Sequence, residues 1–390
     1  MKYFRSGIIA ILFCFCFVKI KAQLNTITTA VPFLMIAPDS RAGALGETGV
    51  ATSPDANSGH WNGAKYAFAD KKFGVSGSYD PWLRALVPDI NLGYLSLYGK
   101  PDSVSAIFGS ARYFSMGNIV FTNATGNIIG QSKPYEFAID IGYSRRIARY
   151  WSLGAAARYI YSDITNGIII NGKRLYAGTS AAFDLSAYYL DRDRVKILNQ
   201  PCVMMMGASL TNVGSKIKYS DSARGDFIPI NLRVGQGFEF DFGKGNKFSF
   251  NYEFNKLLVP TPPIYEIDSN GNVLPVILAG KDPDVSVVQG MIQSFNDAPG
   301  GRSEELAEIN FGIGAEYFYQ NIFAVRMGYF YEAPTKGNRQ FVSLGAGVKF
   351  NFISLDFAYL IPVNNQRSPL QNTLRFSLLF QFDRIRARKQ

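Results

Sequence analysis

One histidine, His60, serves all 390 residues, and two of the three cysteines, Cys14 and Cys16, fall in an amino-terminal apolar run. That run, IIAILFCFCFV at 8–18, follows Lys2 and Arg5 and precedes KIKAQ, with Ala22 placed to precede a cleavage point. A helix needs about 20 apolar residues to span a bilayer, so this shorter run reads as a secretory signal over residues 1–22. The mature chain is expected to begin near Gln23. Cys202 is then its lone cysteine, which leaves no internal disulfide framework and no ligand set for structural zinc. Asp282 and Asp284, in GKDPDVS, lack the spacing of a calcium loop.

Excess charge is scarce as well. Lys2, Arg5, Lys19 and Lys21 leave with the signal, and the net charge falls from +10 to +6. The basic residues are dispersed among acids, which argues against a nucleic-acid partner. No mature run reaches 18 apolar residues, excluding a helical membrane protein. The glycine-dense stretch PDSRAGALGETGVATSPDANSGHWNGA at 38–64 has no GK[ST] after it and no apolar strand before it, so it is not a phosphate-cradling loop. The sequence calls for no metal and no cofactor.

What is abundant is alternation. In NKFSFNYEFNK, Phe248, Phe250, Tyr252 and Phe254 alternate with Ser249, Asn251, Glu253 and Asn255, which gives a strand one aromatic and one polar face. Tyr135, Phe137, Ile139, Ile141 and Tyr143 oppose Glu136, Asp140 and Ser144 in the same rhythm, as Leu374, Phe376, Leu378, Phe380 and Phe382 oppose Arg375, Ser377 and Gln381. Fourteen such strands are expected, at about 73–80, 91–99, 103–115, 133–146, 150–162, 178–190, 202–213, 228–242, 246–257, 305–320, 322–333, 339–350, 352–362 and 371–382. Their length suits a tilted membrane strand of about 9–11 residues better than the average soluble strand of about 5–6.

The joints sort by parity. Those after even strands are mostly tight (KPD, ARY, GKG, QN and N), whereas those after odd strands are mostly long, above all 258–304. Short turns on one rim and long loops on the other belong to an outer-membrane barrel, closed because every backbone amide in hydrocarbon must be paired. The expected fold is an all-β transmembrane antiparallel barrel over 71–382, with both termini on the short-turn, periplasmic rim. A basic tail at 383–390 (Arg384, Arg386, Arg388 and Lys389) follows as a solvated end. Residues 23–70 are too polar and turn-rich for lipid and are expected to plug the lumen, with Ser53 as a helix N-cap, Pro54 in the first turn and Asp55 at the positive helix start.

The stretch GALGETGVATSPDANSGHWNGA resembles the amino-terminal hatch of the FadL family of outer-membrane barrels, which runs through small-residue turns to an Asn-Pro-Ala motif. Here Asn62 and Ala64 keep their places and Gly63 stands where that family has proline. Together with AVPFLMIAPDSRAG before it and AKYAFADKKFGVSGSYDPWL after it, the block is similar to the branch of that family that serves the type IX secretion system of Bacteroidetes. That resemblance implies a non-enzymatic role. The barrel would bind secreted proteins through their carboxy-terminal signal domains and carry them from the type IX translocon barrel to a surface attachment complex that includes a sortase-like protease. It would sit among the lipid and lipopolysaccharide of the outer membrane. A channel for small hydrophobic molecules and a lipopolysaccharide deacylase are the alternatives the resemblance leaves open.

Two loops are the candidate partner-binding elements. YDPWLRALVPDI at 79–90 places Trp82, Leu83, Leu86 and Val87 between strands, and the 258–304 loop carries Val285, Val288, Met291, Ile292 and Phe295 near helical spacing. The candidate hatch residues are Ser53, Asp55, His60, Trp61, Asn62 and Ala64. A catalytic His60 would need a nucleophile and an orienting acid in fixed geometry, with Ser58 and Asp55 the nearest in sequence.

Overall fold

The computed structural model describes residues 25–81, 89–122, 125–164, 169–170, 173–193, 195–197, 200–221, 224–363 and 373–383. The signal, the joint carrying Trp82, Leu83, Leu86 and Val87, and the basic tail lie outside the described residues.

The wall is built from β1 (Phe73–Pro81), β2 (Ile90–Gly99), β3 (Ser105–Met116), β4 (Tyr135–Arg146), β5 (Trp151–Asp163), β6 (Gly178–Asp191) and β7 (Gln200–Gly214), followed by β8 (Asn231–Asp241), β9 (Lys247–Leu257), β10 (Asn310–Tyr319), β11 (Phe323–Tyr331), β12 (Gln340–Phe350), β13 (Ile353–Pro362) and β14 (Thr373–Phe382). Each pairs antiparallel with its sequence neighbours. The sheet closes where β1 meets β14, from Phe73↔Phe382 to Tyr79↔Phe376, and β6 meets β7 across one irregularity between Phe183 and Leu185. The fourteen-stranded barrel and its strand faces agree with the alternation. Leu95, Leu97, Ile139, Ile141 and Leu153 are exposed on the outside, while Ser96, Asp140, Arg158, Glu253 and Arg375 are buried inside.

Aromatic girdles mark both rims. Tyr113, Tyr135 and Tyr161 stack in a row at the long-loop end, with ring centroids 5.7 and 5.8 Å apart. At the short-turn end Trp151 meets Tyr189 at 5.1 Å and Phe352 meets Phe382 at 5.0 Å.

The structure departs from expectation at three places. The strand expected at 305–320 starts only at Asn310, because Arg302–Ala307 forms a helix whose first turn carries Glu304 and Glu305 at the positive end. Ser53 caps no helix. Residues 53–55 are irregular, the helix begins at Ser58, and the Ser53 hydroxyl instead accepts from the Arg41 guanidinium at 2.8 Å. The third departure concerns the termini. β1 does start and β14 does end on the short-turn rim, but Asn25 sits at the opposite mouth. Its backbone N–H donates to the Thr335 carbonyl at 3.2 Å, and its side chain donates to Pro262 O at 3.2 Å and to Glu304 at 2.9 Å.

From there the amino-terminal segment runs the length of the lumen. Val31, Phe33, Leu34 and Ile36 pack with Leu92, Phe114, Ile160, Phe227 and Leu258 just inside the mouth. Helix α1 (Ser40–Ala44) follows, its first turn capped by Asp39, which accepts from the Ala42 N–H at 2.9 Å. Gly46 lies so close to the wall that a Cβ built on Gly328 would stand 2.0 Å from its nitrogen. Helix α2 (Ser58–Trp61) and a 3-10 turn at Gly63–Phe68 lead to the far rim, where the Lys100 ammonium donates to Ala67 O at 3.0 Å and Ala69 O at 2.7 Å.

Candidate functional site

Two regions gather the candidate residues, the lumen and the long-loop mouth. In the lumen, charged side chains facing inward from the wall find partners on the amino-terminal segment. The Arg41 guanidinium donates to both oxygens of Glu316, at 2.8 and 3.1 Å, and to Asp55 at 2.9 Å. Arg326 joins Glu316 at 2.6 Å and Asp356 at 2.7 Å. One Glu253 oxygen accepts from the N–H groups of Gly49 and Val50, and the other accepts from Arg233 at 2.9 Å. Buried charges of this kind hold their geometry only while each partner stays in place.

The candidate hatch residues occupy one compact unit. Trp61 is buried and donates from its indole to Asp39 at 2.7 Å, with the Arg233 guanidinium over its ring. Asn62 accepts from the Ala64 N–H at 3.0 Å and donates to Val50 O and Ala187 O, so it caps the 3-10 turn and ties it to β6. Gly63 has a packing reason. A Cβ there would stand 2.4 Å from the Phe108 ring, which fills the space beside the turn. Asp55 accepts from the Asn57 N–H at 2.9 Å in an Asx-type turn. Lys65, missed in the sequence, is buried and donates to Gly49 O and Thr52 Oγ1, and burial pulls its pKa down to about 8.

His60 does not assemble with Ser58 and Asp55 into a charge relay. The Ser58 hydroxyl is engaged with Asp55, accepting from its N–H at 3.0 Å and donating to its carboxylate at 3.3 Å. The imidazole instead meets the rings of Trp61, edge-on at 4.7 Å, and Tyr94 at 6.4 Å. Burial, and then the charges of Arg112, Arg233, Arg158 and Arg375, hold its pKa well below the ordinary value.

At the mouth the 258–304 loop is largely ordered into elements. It holds a hairpin, Ile264–Ile267 with Val273–Ala279, and the helix α3 (Val287–Gln293), before α4 (Arg302–Ala307) leads into β10. Helix α3 rests on Phe227 at Gly290, where a Cβ would stand 2.7 Å from the ring. Its apolar residues divide. Val285, Val287 and Met291 pack on the mouth cluster, whereas Val288, Ile292 and Phe295 are 65, 69 and 55% exposed. The hairpin adds exposed Ile267, Val273, Val276 and Leu278. Sequence reasoning passed over this hairpin, although Asn-Gly at 270–271 between two apolar runs is a turn signal. The loop is anchored by ion pairs. Lys336 reaches Glu304 at 2.5 Å and Glu308 at 2.9 Å, and Lys256 reaches Glu305 at 3.2 Å and Glu308 at 2.5 Å.

Among solved structures, the Pseudomonas putida toluene transporter TodX superposes with a TM-score of 0.51 at 12% identity, over 90% of this chain and 99% of that one. A Pseudomonas aeruginosa FadL homologue covers 92% of this chain and 99% of its own at 10% identity, with a TM-score of 0.45. At such identity the TodX likeness shows the fold alone. No curated protein sequence gives a significant match. The family model for the type IX secretion system protein PorV matches residues 19–264, a span that takes in the whole luminal segment and β1 to β9. With that match over more than half of its length and a closed FadL-like barrel as its fold, the chain belongs to the PorV family of type IX secretion system proteins.

Proposed function

We propose that this barrel collects secreted proteins at its long-loop mouth, through their carboxy-terminal signal domains, and delivers them from the translocon to the surface attachment machinery. The observation that carries this reading is the two-sided α3. One apolar face seats the helix on the barrel, and Val288 and Ile292 on the other, with Phe295 just past its end, stand open. Apolar surface of this kind on a loop marks a contact for a partner. The luminal segment acts as a plug and support, and the chain makes and breaks no bond.

Passage of small hydrophobic molecules is the second reading. It requires the luminal segment to leave the Arg41, Glu253 and Asn62 contacts that now fix it. Lipopolysaccharide deacylation would need a nucleophile beside His60, and the Ser58 hydroxyl is held by Asp55.

The test uses two variants in a secreting host: residues 264–279 replaced by a short Gly-Ser linker, and the triple Val288→Asp, Ile292→Asp, Phe295→Asp. Surface delivery of cargo should fall sharply in both while the folded barrel persists in the outer membrane. Undiminished delivery in both would sink the docking role.

A further inference from the structure

Beneath the hairpin the mouth opens into a cavity of about 750 Å³, lined by Thr28 and Pro32 of the luminal segment and by Phe114, Phe227, Pro260 and Tyr265 of the wall and loops. That size lies within the range of roughly 300–1,000 Å³ typical of ligand cavities. Glu136, at the start of β4, also lines it, although only 1% of the residue is exposed. One Glu136 oxygen accepts from the Ser162 hydroxyl at 2.6 Å, and that hydroxyl meets the Tyr219 hydroxyl at 2.8 Å. The other oxygen, Oε2, has no hydrogen-bond partner among the described residues.

A buried carboxylate oxygen without a partner is costly, and the cost is relieved by a donor, best a cationic one. The nearby cations do not supply it. Lys216 and Arg224, on the cavity rim, are both engaged with Asp284, at 3.7 and 3.0 Å. Phe114, Met116, Phe227, Val259, Pro260 and Tyr265 give the cavity an apolar and aromatic wall, and Asp226 and Asp284 add carboxylates to that of Glu136, so the chemistry that fits is an alkyl stem ending in a positive charge. Lys216 already shows such a fit at this mouth, with its ammonium 4.3 Å from the centre of the Phe227 ring.

We propose that this cavity receives a lysine or arginine side chain of a bound polypeptide, with Phe114, Phe227 and Tyr265 around its stem and Glu136 Oε2 against its charged end. The inference rests on the reading of the mouth as a receiver of secreted protein, and names the side chain by which that protein is gripped.

The experiment measures binding of fluorescently labelled peptides to the full-length barrel in detergent by anisotropy. The probes are the blocked pentapeptide Val-Thr-Lys-Thr-Val and its counterparts with norleucine or glutamate at the centre. The lysine peptide should bind at least tenfold more tightly than the other two, and Glu136→Gln should erase that preference while the barrel keeps its heat-modifiable migration. Equal affinity for lysine and norleucine, a preference for norleucine, or an unchanged lysine preference in Glu136→Gln would each overturn the assignment. If hairpin removal stops secretion but Glu136→Gln alters neither binding nor secretion, the cavity assignment fails and the receiving role of the mouth stands.

Discussion

Asn25 donates to Glu304 at 2.9 Å, joining the first described residue to the helix that leads into β10, 279 positions away. Asn25 therefore lies at the long-loop mouth, although the first strand departs from the other rim. A cysteine at Asn25, in a Cys202→Ser background, should react with a membrane-impermeant maleimide on intact cells. One at Lys244, in the turn between β8 and β9, should stay unlabelled until the cells are broken. The reverse pattern would invert the orientation.

Glu316 serves two cations, Arg41 and Arg326, whereas Arg41 also has Asp55. Glu316→Ala leaves two guanidiniums short of an acceptor in a buried site and should cost about 3–5 kcal/mol. Arg41→Ala leaves Glu316 paired with Arg326 and should cost less, about 1–3 kcal/mol. Denaturant midpoints of the two variants in detergent would show the order. Equal losses would mean that Arg41 carries the whole effect and that the Arg326–Glu316 pairing within the wall contributes little.

Gly328 and Gly77 share a residue type and differ in their surroundings. A Cβ at Gly328 collides with the backbone of Leu45 and Gly46, and one at Gly77 meets nothing within 4 Å. Gly328→Ala should loosen the luminal segment and expose it to protease in purified protein, with Gly77→Ala indistinguishable from the parent. Matching digestion patterns would refute the close seating of Gly46.

The lone imidazole offers a direct reading of the interior. Because His60 has a folded pKa below its unfolded value of 6.5, the folded state refuses a proton that the unfolded chain accepts. Stability is thus lost as pH falls through 6.5 and is unaffected above it. In tag-free protein with ¹³C-labelled histidine, the single resonance should keep its neutral shift from pH about 8 down to about 5.5. A midpoint near 6.5 would place His60 in contact with solvent.

The wall was legible because lipid outside and a polar lumen inside impose a period of two on every strand, as Phe248 to Asn255 display. Helical spacing made a helix near 285–295 legible, but not its two sides, since Val285 and Met291 turn to the mouth cluster while Val288, Ile292 and Phe295 stay exposed. Local rules failed where long-range contacts decide. Ser53 has the chemistry of an N-cap, yet Arg41 claims its hydroxyl from a helix twelve residues away. Nothing in the spacing of Glu136 within its strand distinguishes it from Asp140, whose two oxygens are engaged by Arg158 and Ser110. Only the assembled mouth sets Glu136 apart.

The glycine contacts of the inner wall also constrain the order of assembly. With Gly328 against Gly46 and Gly207 against Val50, segment and wall meet backbone to backbone, with no room for a side chain between them at these two places. Such contacts form most readily while the cylinder is still an open sheet, so the expected order is seating of the amino-terminal stretch first and closure of the seam between first and last strands around it. Whatever weakens that early seating should appear as barrels that never complete insertion, rather than as empty ones.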